Sequence, residues 1–103
     1  MEIKITERHL DITDDMKKIT TYKVRKLRKF FPRIQEIHVV LDQEKFRYKV
    51  EIRVLADHFD FEAQGQNDDL QACVDDVVDK AEVQLRRHKE KLHDKKHVRK
   101  QVE

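Results

Sequence analysis

Tryptophan is absent from this chain, and glycine, proline and cysteine occur once each in 103 residues. A lone cysteine cannot close an internal disulfide, which fits a reducing cytoplasm and leaves the fold to rest on its core. One glycine leaves no room for a phosphate-cradling Gly-rich loop. No apolar run approaches the roughly 18 residues of a membrane span; Val39-Val40-Leu41 is among the longest. Met1-Glu2-Ile3-Lys4 lacks the apolar stretch of a secretory signal. Only 38% of residues are hydrophobic while 43% are charged, so a small core must sit beneath a surface crowded with ions. The length suits one domain. Membrane, collagen-like, disulfide-scaffold and multidomain architectures are excluded.

What the chain has in excess is charge, and it is segregated. The net charge is only +2. Lys17 to Arg33 nevertheless holds eight bases and no acid, and Ala56 to Asp79 holds eight acids and no Lys or Arg. From Lys80 to Glu103 nine bases face four acids, with three histidines besides. Charge runs are ordinarily solvated helix faces. Two separate basic blocks can also build a local field of several kT and attract a polyanion although the total nearly cancels.

Hydrophobic periodicity predicts β-α-β-β-β-α. Ile3 and Ile5 alternate with Glu2, Lys4 and Thr6 in a first strand. Thr13 followed by Asp14 and Asp15 reads as a helix start, a hydroxyl cap with acids at the positive dipole end. Met16, Ile19, Leu27, Phe30 and Phe31 form its apolar stripe, and Pro32 stops the helix at about Phe31. Ile34 to Asp42 reads as a largely apolar, central strand. Phe46 to Leu55 alternates Phe46, Tyr48, Val50, Ile52 and Val54 with Arg47, Lys49, Glu51 and Arg53. A fourth strand, Phe59 to Gln64, ends where Gly65 and Asn67 break the pattern, and Asn67 or Asp68 caps a second helix. That helix carries Leu70, Cys73, Val74, Val77, Val78, Ala81 and Leu85 inward as far as about Leu92. Residues 93–103 read as a basic, flexible tail outside a 1–92 domain. The last three strands form a meander, the first helix makes a crossover that sets the first two strands parallel, and both helices cover one face of a four-stranded mixed sheet. The fold class is α+β.

Two helices side by side would bring the basic blocks together. At about 100° per residue Lys80, Arg87 and Lys91 fall on one line beside the apolar stripe, with Gln84 near it. Lys26 flanks the stripe of the first helix beside Tyr22, and Lys23 falls inside it, between Ile19 and Leu27. Such a lysine either snorkels to water or meets a phosphate there. Bases rimming one groove would match a nucleic-acid backbone.

The order of elements, with Asp11-Ile12-Thr13-Asp14-Asp15 through Phe31 and the stretch from Cys73 to Leu92 (CVDDVVDKAEVQLRRHKEKL), resembles the bacterial ribosome hibernation promoting factors. That family includes the ribosome-associated inhibitor once described as a sigma-54 modulation protein. The resemblance covers Met1 to about Leu92, and the whole pattern carries it rather than one signature. It implies a topology similar to a double-stranded-RNA-binding domain, the 30S subunit or 70S ribosome as partner, and binding to 16S rRNA in the channel of mRNA and tRNA. It further implies cytoplasmic action that silences translation in stress or stationary phase. Carried over residue by residue, it implies rRNA contacts for Lys23, Lys26, Lys80, Arg87, Lys89 and Lys91; Lys89 lies off the line of the other bases of the second helix. Gln71 stands where an aromatic is common and Val83 where a base is common. With no second domain and a basic end, the chain looks most like the short promoting factor, and a monomer off the ribosome is expected.

Catalysis finds no support in the residues. His93 and His97 have an i, i+4 metal-ligand spacing, but no Glu follows His93 and the segment is cationic. Asp75, Asp76 and Asp79 are ordinary dipole complements in the first half of a helix. Cys73 sits on the apolar stripe as a small core residue. Tyr48 and the phenylalanines alternate as strand core, which argues against a stacking platform on the sheet. No enzyme activity, metal, cofactor, small-molecule substrate or membrane is expected. A general double-stranded-RNA module is the competing reading. Such modules begin with a helix and place bases at the start of the last one, where this chain has Asp68, Asp69, Asp75 and Asp76.

Overall fold

A computed structural model describes residues 1–102, with side chains through Lys91. The elements are β1 (Glu2–Arg8), α1 (Asp14–Arg25), a 3₁₀ turn (Lys26–Lys29), β2 (Ile34–Glu44), β3 (Arg47–Ala56), β4 (Phe59–Asn67) and α2 (Leu70–Val102). The sheet runs β1-β2-β3-β4, with β1 parallel to β2 and the other pairs antiparallel. The predicted order and pairing are those found. Because side chains alternate across a sheet, Ile37, Val39 and Leu41 of β2 and Val50, Ile52 and Val54 of β3 all point one way. They meet Val24 and Leu27 from the first helical stretch and Cys73, Val74, Val77, Ala81 and Leu85 from α2 in a single core. The two helical elements therefore lie on the same face.

Local chemistry sets the ends of these elements. The Thr13 hydroxyl accepts the Met16 N–H at 3.1 Å, the expected cap. The α-helix ends at Arg25 rather than Phe31 and tightens into a 3₁₀ turn. Pro32 bars helix at the preceding residue, and the tighter turn satisfies the last carbonyls while delivering Leu27 and Phe31 to the core. β4 does not stop at Gln64. Gly65, Gln66 and Asn67 keep pairing with Val50, Lys49 and Tyr48, so the α2 cap moves on to Asp69, whose carboxylate accepts the Ala72 N–H at 3.0 Å. Asn67 in turn accepts the Asp69 N–H at 2.9 Å. Phe46 is not a core residue. It sits in the two-residue turn between β2 and β3 and is 90% exposed. Alternation fixes which face a strand residue takes, but not where the strand gives way to its turn.

Gly65 has no unusual backbone angle; what it provides is proximity. A Cβ there would lie 3.0 Å from Val77 Cγ2 and 2.9 Å from Asp76 Oδ2, so the missing side chain lets α2 settle onto β4. Cys73 lies beside it, buried, its thiol donating to the Gly65 carbonyl at 3.3 Å. Burial pushes that thiol's pKa up. Farther along, His88 stacks on Phe59 with centroids 3.7 Å apart, and Phe31 meets Phe59 edge-on at 5.1 Å. These rings fasten α2 to the start of β4. Beyond them the helical backbone continues to Val102 without a break near Leu92, about 50 Å in all, which accounts for a longest dimension of 57 Å. The expected tail thus begins as helix as far as its backbone is described. Its side chains, His93 and His97 among them, lie outside the described residues.

Candidate nucleic-acid interface

The structure places the six predicted contact residues on both flanks of α2, not around one groove. Lys23 and Lys26 line a groove of about 520 Å³ between the first helical stretch and α2. Lys80 and Arg87 line another, of about 460 Å³, between α2 and β4. The expectation of a single basic groove rimmed by both helices is therefore corrected. The line of Lys80, Arg87 and Lys91 lies on the β4 side of the apolar stripe, so the body of α2 separates it from Lys23. Lys89, by its helical angle, shares the opposite flank with Glu82 and Val78, which face Lys26 and Phe30.

Two of the six are engaged inside the molecule. Lys23, its side chain 19% exposed, is ion-paired with Asp75 across the two helices. Lys80 donates to the Gln64 carbonyl at 3.1 Å and pairs with Asp76 at 3.2 Å. Gln84 donates to the Glu62 carbonyl at 3.4 Å. Lys80 and Gln84 thus cover two carbonyls of the edge strand β4, a position where an open edge would invite another strand. Lys26, Arg87, Lys89 and Lys91 are exposed and form no ion pair among the described residues.

The acids of α2 divide the cationic surface. Asp75, Asp79 and Glu82 face the interhelical groove, so its lysines are locally compensated. The outer face of the first helical stretch is different. Lys18 and Arg25 are exposed there, while Lys26 and Lys29 are exposed at the rim of the groove; none of the four has an ion-pair partner among the described residues. Tyr22 lies in their midst, 65% exposed, with the Lys26 ammonium 4.9 Å from its ring centre. Lys18 and Arg25 have the spacing i, i+7, the same as Lys80 and Arg87, whereas Lys29 lies in the 3₁₀ turn and leaves that line. The i, i+7 spacing is the signal in the sequence that identifies this second pair.

The opposite face of the sheet offers no comparable surface. Three of its cations are paired in place: Lys4 with Glu36 at 3.1 Å, Lys49 with Glu51 at 3.3 Å and Arg53 with Glu62 at 3.6 Å. The unpaired positive charge is concentrated on the helical layer. Among the described residues no three His, Cys, Asp or Glu side chains cluster as metal ligands, and no helix is long and apolar enough to cross a membrane.

Comparison with known proteins decides which family carries this fold. Residues 3–93 match the family of the sigma 54 modulation protein and S30EA ribosomal protein. The chain belongs to this family. Family members are ribosome-associated hibernation factors rather than enzymes. The ribosome hibernation promoting factor of Salmonella typhimurium is 33% identical over 92 residues, 89% of this chain and 97% of that one. The Escherichia coli factor is 32% identical over the same shares. Among solved structures, a ribosomal subunit interface protein from Coxiella burnetii superposes with a TM-score of 0.81 at 27% identity, covering 86% of this chain and 98% of that one. The N-terminal domain of Thermus thermophilus Protein Y gives 0.78 at 28% identity, covering 85% and 99%. The family assignment and the fold expected from the sequence agree.

Proposed function

We infer that the chain silences translation by lodging on the small ribosomal subunit, against 16S rRNA in the channel used by mRNA and tRNA, and excluding both by volume. The observation that carries this reading is the concentration of unpaired cations on the helical layer of a hibernation-factor fold. Lys26, Arg87, Lys89 and Lys91 neutralise rRNA phosphates directly, with Lys18, Arg25 and Lys29 beside them. Lys23 and Lys80 contribute if they exchange Asp75 and Asp76 for phosphate. RNA straddling α2 reaches both flanks. No bond is made or broken in this mechanism; the binding free energy comes largely from release of condensed counterions, so affinity falls steeply with salt. The reading places the protein in the cytoplasm, bound to 30S subunits or 70S ribosomes and monomeric away from them.

The test is competition on purified 30S subunits. The protein should displace a labelled mRNA and block subsequent tRNA binding, while free duplex RNA at physiological salt should compete poorly for the protein. Simultaneous binding of mRNA and the protein would refute exclusion. Duplex RNA competing as well as 30S would indicate a general double-stranded-RNA module, which reads shape without regard to the ribosome.

A further inference from the structure

The turn between β2 and β3 is unfavourable twice over. Lys45 takes φ 54°, a left-handed conformation that costs a β-carbon-bearing residue energy. Phe46, next to it, is 90% exposed, the most exposed large apolar side chain among the described residues. His9, also left-handed at φ 58°, lies at the same end of the sheet. His9, Lys45, Phe46, Arg47, Tyr48 and Lys49 line an open cavity of about 720 Å³. Local strain and an apolar ring in water, held together at one site, are features that a fold retains for a partner.

Charge indicates which partner. Lys45 and Arg47 bracket the ring, and neither lies within ion-pair distance of an acid among the described residues. Glu44 and Asp68 also border the cavity, but neither is paired with those cations. An apolar protein pocket has no need of two cations flanking the inserted ring. A nucleobase with its own phosphates on either side does, because its π-face takes the ring while the phosphates take the cations. We propose that the β2–β3 turn is a second RNA contact, in which Phe46 stacks on an unpaired nucleobase and Lys45 and Arg47 bind the adjoining phosphates. The turn lies at the end of the sheet, and the contact is separate from the helical rows. The choice of RNA as partner rests on the ribosomal reading above.

The absence of tryptophan makes the test direct. A Phe46→Trp variant carries a single indole, whose emission should be quenched when 30S subunits bind and, more weakly, with a single-stranded oligoadenylate. Phe46→Ala should weaken 30S binding roughly 5- to 100-fold, the range for loss of one base–aromatic stack. Phe46→Tyr should retain binding. Phe46→Leu, which keeps apolar bulk without a π-face, should behave like Phe46→Ala. Unchanged indole emission on a 30S-bound variant would overturn the proposal. So would full binding by Phe46→Leu, which would indicate an apolar protein pocket instead. Neither result touches the helical contact, whose failure would appear as loss of wild-type 30S binding altogether.

Discussion

Replacing Lys26, Arg87 and Lys91 together by Gln should reduce ribosome binding about 100-fold or more while leaving the fold intact. Each of the three is exposed and forms no ion pair among the described residues, so its removal breaks no contact that holds helix to sheet. Charge-assisted hydrogen bonds contribute about 1.5–3 kcal/mol each, and three such losses exceed the roughly 1.4 kcal/mol per tenfold by a wide margin even with partial compensation. The dependence of log affinity on log salt should also flatten by about 2–3, one step for each phosphate no longer neutralised. Cosedimentation with 30S subunits across a salt series measures both quantities, and circular dichroism checks the fold. Lys80→Gln supplies the contrast. Its ammonium is already held by Gln64 and Asp76, so the single change should alter binding less than Arg87→Gln does. A larger loss at Lys80 would mean that the lysine leaves its internal partners on the ribosome.

The second large effect is on stability. Gly65→Ala should destabilise the protein by about 1–3 kcal/mol, the usual cost of overpacking, and Gly65→Val by more. The sign is informative. Glycine inside a strand is ordinarily unfavourable by roughly 0.5–1 kcal/mol relative to alanine, so with open space above it the substitution would stabilise. Here the added carbon meets Val77 Cγ2 at 3.0 Å. The Asp76 carboxylate can swing away, but Val77 is fully buried in the core and cannot. Relief must come from α2 lifting off β4, which also strains the Lys80 and Gln84 contacts to the edge carbonyls. Urea denaturation of wild type and both variants measures the effect; an alanine variant as stable as wild type would show that the helix has slack at this point. Against a typical domain stability of about 5–15 kcal/mol, losses of this size lower the midpoint substantially.

The sequence disclosed the layers of this protein more readily than its contacts. Alternation from Tyr48 to Val54 and the 3.6-residue stripe from Cys73 to Leu85 identify a two-sided sheet and a covering helix, because burial of one face imposes a period. Thr13 was legible as a cap because its chemistry is local. Gly65 read as a strand break because glycine has two uses, and only the approach of α2 separates proximity from a turn. Phe46 read as core because alternation carries no mark of where the chain reverses. The pairs Lys23–Asp75 and Lys80–Asp76 decide which cations remain available. The first depends on how two helices pack and cannot be read from either one alone. The pair Lys18 and Arg25 was legible, since it repeats the i, i+7 spacing of Lys80 and Arg87.

In the proposed mode of binding, the cationic helical layer lies against 16S rRNA in the channel of mRNA and tRNA. Hydroxyl-radical footprinting of 16S rRNA within 30S subunits tests it most directly, with wild type and the Lys26, Arg87 and Lys91 triple variant compared. Protections should cluster on the rRNA strands lining that channel and vanish with the triple variant. Protections on the outer surface of the subunit, or a footprint that survives loss of all three charges, would contradict it.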